Sequence, residues 1–235
     1  MNIIFYGDSL TEGIPGISYF NILKERLPQH DLVNCGKGGD TVISLLERVK
    51  KINTNKKYDI AFIWIGVNDV LPHIKKRYGL IKLFCNQPWA KNNQIFKRKY
   101  KELIELVSKK SERVFTVSLP IIGEGIHNRW NKKLELLSLE IDIISSKFQN
   151  VEYINLHEDI ISYLSTKKTS QFIMNSILRD VILAWMLNIP GWIEKKSERR
   201  GLYLTIDGVH FNNTGANIVA NKFYKSIIDS HGKNT

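Results

Sequence analysis

The sequence predicts an α/β protein: a three-layer α/β/α domain around a doubly wound, parallel, five-stranded sheet. Three observations point that way. Short runs of β-forming residues alternate with helical apolar spacing along most of the chain, as βαβ units with right-handed crossovers require. The run at 58–65 is apolar on both faces, as a strand covered by helices on each side must be. Several of these runs close at glycine or proline, where a strand would reach the edge of its sheet.

The elements follow in order. Asn2-Ile3-Ile4-Phe5-Tyr6 is a short buried strand, and Gly7 permits a sharp turn at its end. The next helix is expected beyond Gly13-Ile14-Pro15-Gly16, over 18–27, with Tyr19, Phe20, Ile22, Leu23 and Leu27 inward and Pro28 as its stop. A second strand covers 31–34. The glycine-rich loop Gly36-Lys37-Gly38-Gly39 comes next, and Asp40 or Thr41 caps a helix carrying Val42, Leu45, Leu46 and Val49. Its basic last turn suits the helix dipole.

The third strand, 58–65, ends in Gly66-Val67-Asn68-Asp69. From 71 to about 92 the periodicity dissolves around Pro72, Gly79 and Pro88, and an irregular excursion on the rim is expected. A helix over 93–110, a fourth strand over 113–119 closed by Pro120, a long helix over 128–148 and a fifth strand over 151–156 follow. The stripe Trp130, Leu134, Leu137, Ile141, Ile144 faces the long helix inward. The last helix, 213–230, packs through Ile218, Val219, Phe223 and Ile227.

One segment departs from simple alternation. Residues 170–193, within an insertion of about 166–200, read as helical and apolar on more than one face. An extra buried helix accounts for this. So does a cap that lines an acyl-binding groove or forms a homodimer contact, with Trp185 and Trp192 as candidate substrate-binding residues.

Composition bounds the class. The chain has 235 residues, 43% of them hydrophobic and 24% charged, which is ordinary for a globular domain. Lys and Arg number 34 against 23 Asp and Glu, a net charge of +11. Such a charge suits an anionic partner, but the lysines are scattered in short clusters without interleaved aromatic residues. A solvated surface explains them, and no nucleic-acid partner is expected. Cys35 and Cys85 have no metal-ligand or disulfide spacing and read as free, mostly buried thiols. The chain opens directly on a strand, without a leader pattern, and no apolar run is long enough to span a bilayer. A cytoplasmic location is the expectation.

The chemistry concentrates at strand ends. Ser9 follows the first strand, where it either caps a helix or presents its hydroxyl and its own N–H to a carbonyl. A serine hydroxyl needs a base to take its proton, and the base needs a third group to hold its tautomer. Asp207-Gly208-Val209-His210 can carry both in one short loop, Asp207 accepting from one ring nitrogen while the other faces Ser9. Gly39 and Asn68 stand at the mouths of the second and third strands. They are either turn and capping residues or donors to an oxyanion, one through a close-approaching N–H and one through a side-chain amide.

Together these blocks resemble a known family. Gly7-Asp8-Ser9-Leu10, Asn34-x-Gly36-x-x-Gly39-Asp40-Thr41, Gly66-x-Asn68-Asp69 and Asp207-x-x-His210 are similar, in order and separation, to the four blocks of the SGNH (GDSL-type) hydrolases. The resemblance runs from residue 2 to about 228 and is weakest at 71–92 and 166–200. It implies one domain over 1–235 with the flavodoxin-like SGNH hydrolase fold and an ester hydrolase that needs no metal or other cofactor. It further implies Ser9 as nucleophile, His210 as base and then acid, and Asp207 as the orienting carboxylate. The oxyanion hole would comprise the N–H groups of Ser9 and Gly39 and the Asn68 side chain. Threonine at position 11 sets the chain apart from the G-x-S-x-G hydrolases. Carbohydrate deacetylases, lysophospholipases, thioesterases and arylesterases are all similar in these blocks, so a small-molecule, lipid or carbohydrate ester is the implied substrate. A binding module retaining the sheet-edge pocket and a basic nucleic-acid-associated protein are the rival readings from other classes.

Overall fold

The computed structural model describes residues 1–52, 56–74, 76–173 and 191–232. Five strands, β1 (Asn2–Gly7), β2 (Asp31–Gly36), β3 (Tyr58–Trp64), β4 (Ser111–Val117) and β5 (Val151–Ile154), form one sheet in the order β2-β1-β3-β4-β5. Every pairing is parallel. The order changes direction beside β1, and in such sheets ligands gather at the carboxyl ends of the strands flanking that point.

The described helices are α1 (Ser9–Glu12), α2 (Tyr19–Arg26), α3 (Val42–Lys51), α4 (Val67–Ile74), α5 (Lys76–Phe84), α6 (Asn93–Ser108), α7 (Arg129–Ser145), α8 (Leu156–Ser165), α9 (Trp192–Arg199) and α10 (Asn213–Gly232). Polar side chains start most of them by accepting a first-turn N–H. Ser18 opens α2, Asn92 opens α6, Asn128 opens α7 and Asn155 opens α8. Thr41, rather than Asp40, caps α3 in a reciprocal pair with Ser44. Helices α3, α6 and α7 pack side by side on one face of the sheet, and α2, α10 and α8 on the other.

The second face is aromatic. Phe5, Phe62 and Phe115 stand opposite one another on β1, β3 and β4. Phe5 stacks on Phe62 at 4.8 Å and Phe62 on Phe115 at 5.1 Å. Phe223 of α10 lies over Phe62 at 4.7 Å, and Phe20 of α2 meets Phe5 edge-on at 5.4 Å. Side chains of this size dominate the energy of a core.

Two stretches differ from the sequence reading. Residues 71–92 are not wholly irregular: α4 and α5 occupy 67–74 and 76–84. Pro72 lies inside α4, and α5 exposes Leu80, Leu83 and Phe84 while burying Lys82, so its apolar spacing is inverted. α8 has no counterpart among the expected elements because Leu156 looks like the end of a strand, although Leu156, Ile160 and Leu164 are its buried face at a spacing of four. Cys85, expected inside, is exposed after α5, and Cys35 is half-buried. Of the expected insertion over 166–200, with its apolar helix at 170–193, residues 166–173 lie in no regular element, 192–199 are α9, and 174–190 fall outside the described residues.

Asp69 ties α4 to its surroundings. Its buried carboxylate accepts from the Ala90 N–H at 2.8 Å and the Val42 N–H at 2.9 Å. Burial pushes this carboxyl up from 3.8 to about 7, against the pull of those two N–H groups and the Lys82 charge.

Two outcomes follow from this packing. Phe62→Ala should lower the free energy of unfolding by about 3–5 kcal/mol in a urea titration, because the neighbouring rings cannot close the gap. By contrast, Ile143→Ala on the exposed side of α7 should stay within about 0.5 kcal/mol. For Asp69 the folded protein keeps its proton where the unfolded chain has lost it, so its contribution to stability falls as pH rises from about 4 to 7. Measured at each pH, the unfolding free energy of Asp69→Asn relative to the parent should therefore rise across that window, and a constant difference would contradict the burial.

Candidate active site

The site begins where β1 stops. Asp8 caps the single turn α1, its Oδ1 accepting the Leu10 N–H at 3.0 Å. Ser9 is therefore the first residue of the helix and not its cap, and its N–H has no intrahelical partner. Gly7 is needed for space rather than for a special turn. A Cβ there would stand 2.1 Å from Thr11 Oγ1 and 2.8 Å from the Trp64 carbonyl oxygen. The absent side chain lets α1 sit against the strand ends, which sets the height of Ser9 above the sheet.

The candidate base arrives from the other end of the chain. His210 Nε2 lies 2.9 Å from Ser9 Oγ. The opposite ring nitrogen, Nδ1, lies 2.7 Å from Asp207 Oδ2. Asp207 Oδ1 accepts the backbone N–H groups of Val209 and His210 at 3.0 and 2.8 Å. Burial acts to raise the Asp207 carboxyl, but the His210 charge, its hydrogen bond and the two N–H groups together hold it below the ordinary value. A carboxylate kept ionised beside Nδ1 selects the tautomer with the proton on Nδ1 and the lone pair on Nε2, facing the serine.

The loop carrying this pair is fastened by a residue the motifs did not flag. Glu124, in the loop after β4, is fully buried. Its carboxylate accepts from the N–H groups of Tyr203, Leu204 and Thr205 and from the Thr205 hydroxyl, at 2.7–2.9 Å. Gly123 N–H donates to the Gly208 carbonyl at 2.6 Å, and Arg200 Nη1 donates to that of Ile206 at 2.6 Å. Phe211 stacks on Trp64 of β3 at 5.9 Å and accepts from Ile17 N–H through its carbonyl at 2.9 Å. Short sequence spacing could not reveal Glu124, since its partners lie about eighty residues away.

Gly39 and Asn68 border the same edge. Gly39 has φ +77°, a left-handed backbone that favours glycine, and the Gln87 amide fills the place of a Cβ. Gln87 Nε2 donates to the Gly38 carbonyl at 2.9 Å, and Gly38 N–H donates to Glu12 at 2.7 Å, bracing the loop from both sides. Asn68 is the second residue of α4, with its Nδ2 donating to Asp8 Oδ2 at 3.1 Å. Burial pushes the Asp8 carboxyl up to about 6, partly offset by the Leu10 N–H and the charges of His210 and Lys82. Asn34 completes the second block structurally: its Nδ2 donates to the Thr11 carbonyl at 2.7 Å and its Oδ1 accepts the Gly36 N–H at 2.8 Å.

Ser9, Asp207 and His210 thus form one hydrogen-bonded line, and Asn68 bonds instead to Asp8, the residue before Ser9. Of the two candidate substrate-binding tryptophans, Trp192 opens α9 with the Lys196 ammonium 4.4 Å from its ring centre, and Trp185 lies outside the described residues. Among the described residues no group of three or more His, Cys, Asp and Glu side chains has a metal-holding arrangement, and no helix is long and apolar enough to cross a membrane.

Residues 5–218 match the model of the GDSL-like Lipase/Acylhydrolase family. No curated protein matches the chain. Among solved structures, the acetyl xylan esterase AlAXEase is 22% identical over 97% of this chain and all of its own, with a TM-score of 0.69. An acetylxylan esterase from Geobacillus stearothermophilus is 17% identical over 96% of this chain and 93% of its own, at 0.68. A lipase/acylhydrolase from Enterococcus faecalis is 18% identical over 96% and 94%, at 0.62. At these identities the likeness establishes a shared fold. The family match starts in β1 and ends in α10, enclosing every block described above, and the chain is accordingly an ester-bond hydrolase belonging to the GDSL-like Lipase/Acylhydrolase family.

Proposed function

We propose that the chain is a serine esterase that cleaves a carboxylic ester through an acyl-enzyme, with Ser9 as nucleophile, His210 as base and then acid, and Asp207 orienting the imidazole. The observation that carries this reading is the line Ser9 Oγ–His210 Nε2–His210 Nδ1–Asp207 Oδ2, with 2.9 and 2.7 Å at its two joints. Both are within hydrogen-bonding reach, the geometry proton transfer requires.

Oγ attacks the acyl carbon while its proton passes to Nε2. The carbonyl oxygen becomes an oxyanion, to which the N–H groups of Ser9 and Gly39 and the Asn68 Nδ2 donate. The tetrahedral adduct collapses, the C–O bond to the alcohol breaks, and the leaving oxygen takes the proton from Nε2. Water then attacks the acyl-enzyme, giving its proton to Nε2. Collapse releases the acid and returns the proton to Oγ. Each oxyanion donor is worth a factor of about 10²–10³ in rate.

Esters of small acyl groups on carbohydrate are the first substrates to test, because two of the structural neighbours are named acetylxylan esterases. Lysophospholipid and thioester substrates remain the alternative within the same mechanism. Rates across acetyl, butyryl and octanoyl p-nitrophenyl esters separate the two: a preference for acetyl favours the carbohydrate ester, and a preference for octanoyl favours the lipid.

Ser9→Ala and His210→Ala should each lower kcat on p-nitrophenyl acetate by about a thousandfold or more while leaving the unfolding midpoint near that of the parent. A fluorophosphonate should label the parent at Ser9 and fail to label Ser9→Ala. Full turnover by either variant, or labelling elsewhere, would overturn the assignment.

A further inference from the structure

α5 is built against the usual logic of a surface helix. Leu80 and Leu83 are 64% and 63% exposed and Phe84 is 97% exposed, while Lys82 is only 6% exposed. Taking an ammonium out of water is costly unless its donors are satisfied. Those of Lys82 are: Nζ donates to the Gly39 carbonyl, to Asn68 Oδ1 at 3.3 Å and to Gln87 Oε1 at 3.4 Å. Burial pushes the ammonium below its ordinary value, and the carboxylates of Asp69, Asp8 and Asp40 pull it back up. The helix has turned Lys82 onto the two strand-end residues proposed above as oxyanion donors.

The chemistry of those contacts restricts the Asn68 amide. An ammonium only donates, so it can face only the oxygen of that side chain. At the other end Asp8 Oδ2 accepts from Nδ2. With a donor fixed on one side and an acceptor on the other, a flipped amide would set N–H against N–H and oxygen against oxygen. The observed orientation leaves the second Nδ2 hydrogen unclaimed by either neighbour. The same ammonium holds the carbonyl of Gly39, and Gln87, which it also contacts, holds that of Gly38.

We propose that Lys82 is a positioning residue of the oxyanion hole, locking the Asn68 amide in the orientation that donates to substrate and fixing the Gly39 loop beside it. The inference rests on the reading of Ser9, Gly39 and Asn68 as the oxyanion donors. Lys82 itself touches no reacting atom, so its effect on rate runs through Asn68 and Gly39.

A double-mutant cycle tests this with the full chain and p-nitrophenyl acetate. Lys82→Met should lower kcat by about tenfold or more, part of the 10²–10³ that an oxyanion donor supplies, with KM changed by less than about twofold. Asn68→Ala should lower kcat by about 10²–10³. In the double variant the two losses should not multiply: kcat should match Asn68→Ala within about threefold. Lys82→Arg, which keeps a donor-only cation, should recover most of the loss. Urea unfolding of each variant checks the fold. Should Lys82→Met fail to fold, Lys82→Leu fills the site with neither charge nor donor and takes its place in the cycle with the same reading. A parental kcat in the uncharged variant, a change confined to KM, or losses that multiply would overturn the role of Lys82 while leaving the oxyanion hole standing. A parental kcat in Asn68→Ala would overturn both.

Discussion

The chemistry proposed for this protein depends on holding two atoms, Ser9 Oγ and His210 Nε2, 2.9 Å apart when 201 residues separate them in the chain. Neither is carried on a long regular element. Ser9 sits on a single helical turn and His210 in the stretch between α9 and α10. Misplacement by about 1 Å can cost a hundredfold in rate. The protein meets the constraint by fastening each side to the sheet edge separately. α1 is seated by the missing side chains at Gly7 and Gly36, each of which admits atoms of Thr11 or Glu12. The loop of His210 is seated by the four hydrogen bonds to Glu124 and by the Trp64–Phe211 stack. Trp64 ends β3 beside Gly7 of β1, and Glu124 lies in the loop that leaves β4, so both halves of the pair are fastened at the carboxyl ends of the strands.

Charge is buried at that edge for a related reason. A parallel sheet ends in carbonyl groups with no further strand to donate to them. Arg48 of α3 donates to the carbonyls of Gly7 and Cys35 at the ends of β1 and β2. Asp40 pairs with it at 2.7 Å. Asp8, Asp69 and Lys82 extend the cluster toward the serine. Each is nearly excluded from water, and each has hydrogen-bonding partners, so desolvation is offset group by group. The raised carboxyls of Asp8 and Asp69 mark where the offset is incomplete. Strain of this kind is common where a fold serves chemistry as well as stability.

Much of this was legible in the residues themselves. The alternation of apolar runs gave five strands in the right places, and the buried stripe Leu134, Leu137, Ile141, Ile144 named the inner face of α7. Ser9, Asp207 and His210 stand out by residue type and loop position, and the three side chains meet in one line of hydrogen bonds. α5 was not legible because periodicity assumes that apolar residues turn inward, and here a lysine does. α8 was missed because a short strand and the first turn of a helix share the run around Leu156. Glu124 and Lys82 carry no motif at all; their partners lie up to 81 residues away.

By itself, then, the order of residues determined the class of fold, the strand ends and the candidates for the reacting groups, because those follow from local pattern and from chemistry that few residue types can perform. Tertiary structure alone decided which strand lies beside which, how near the buried charges come to the serine, and which carboxylate and ammonium brace the site. Those outcomes depend on burial and on distances between residues far apart in the chain, and no local spacing encodes either.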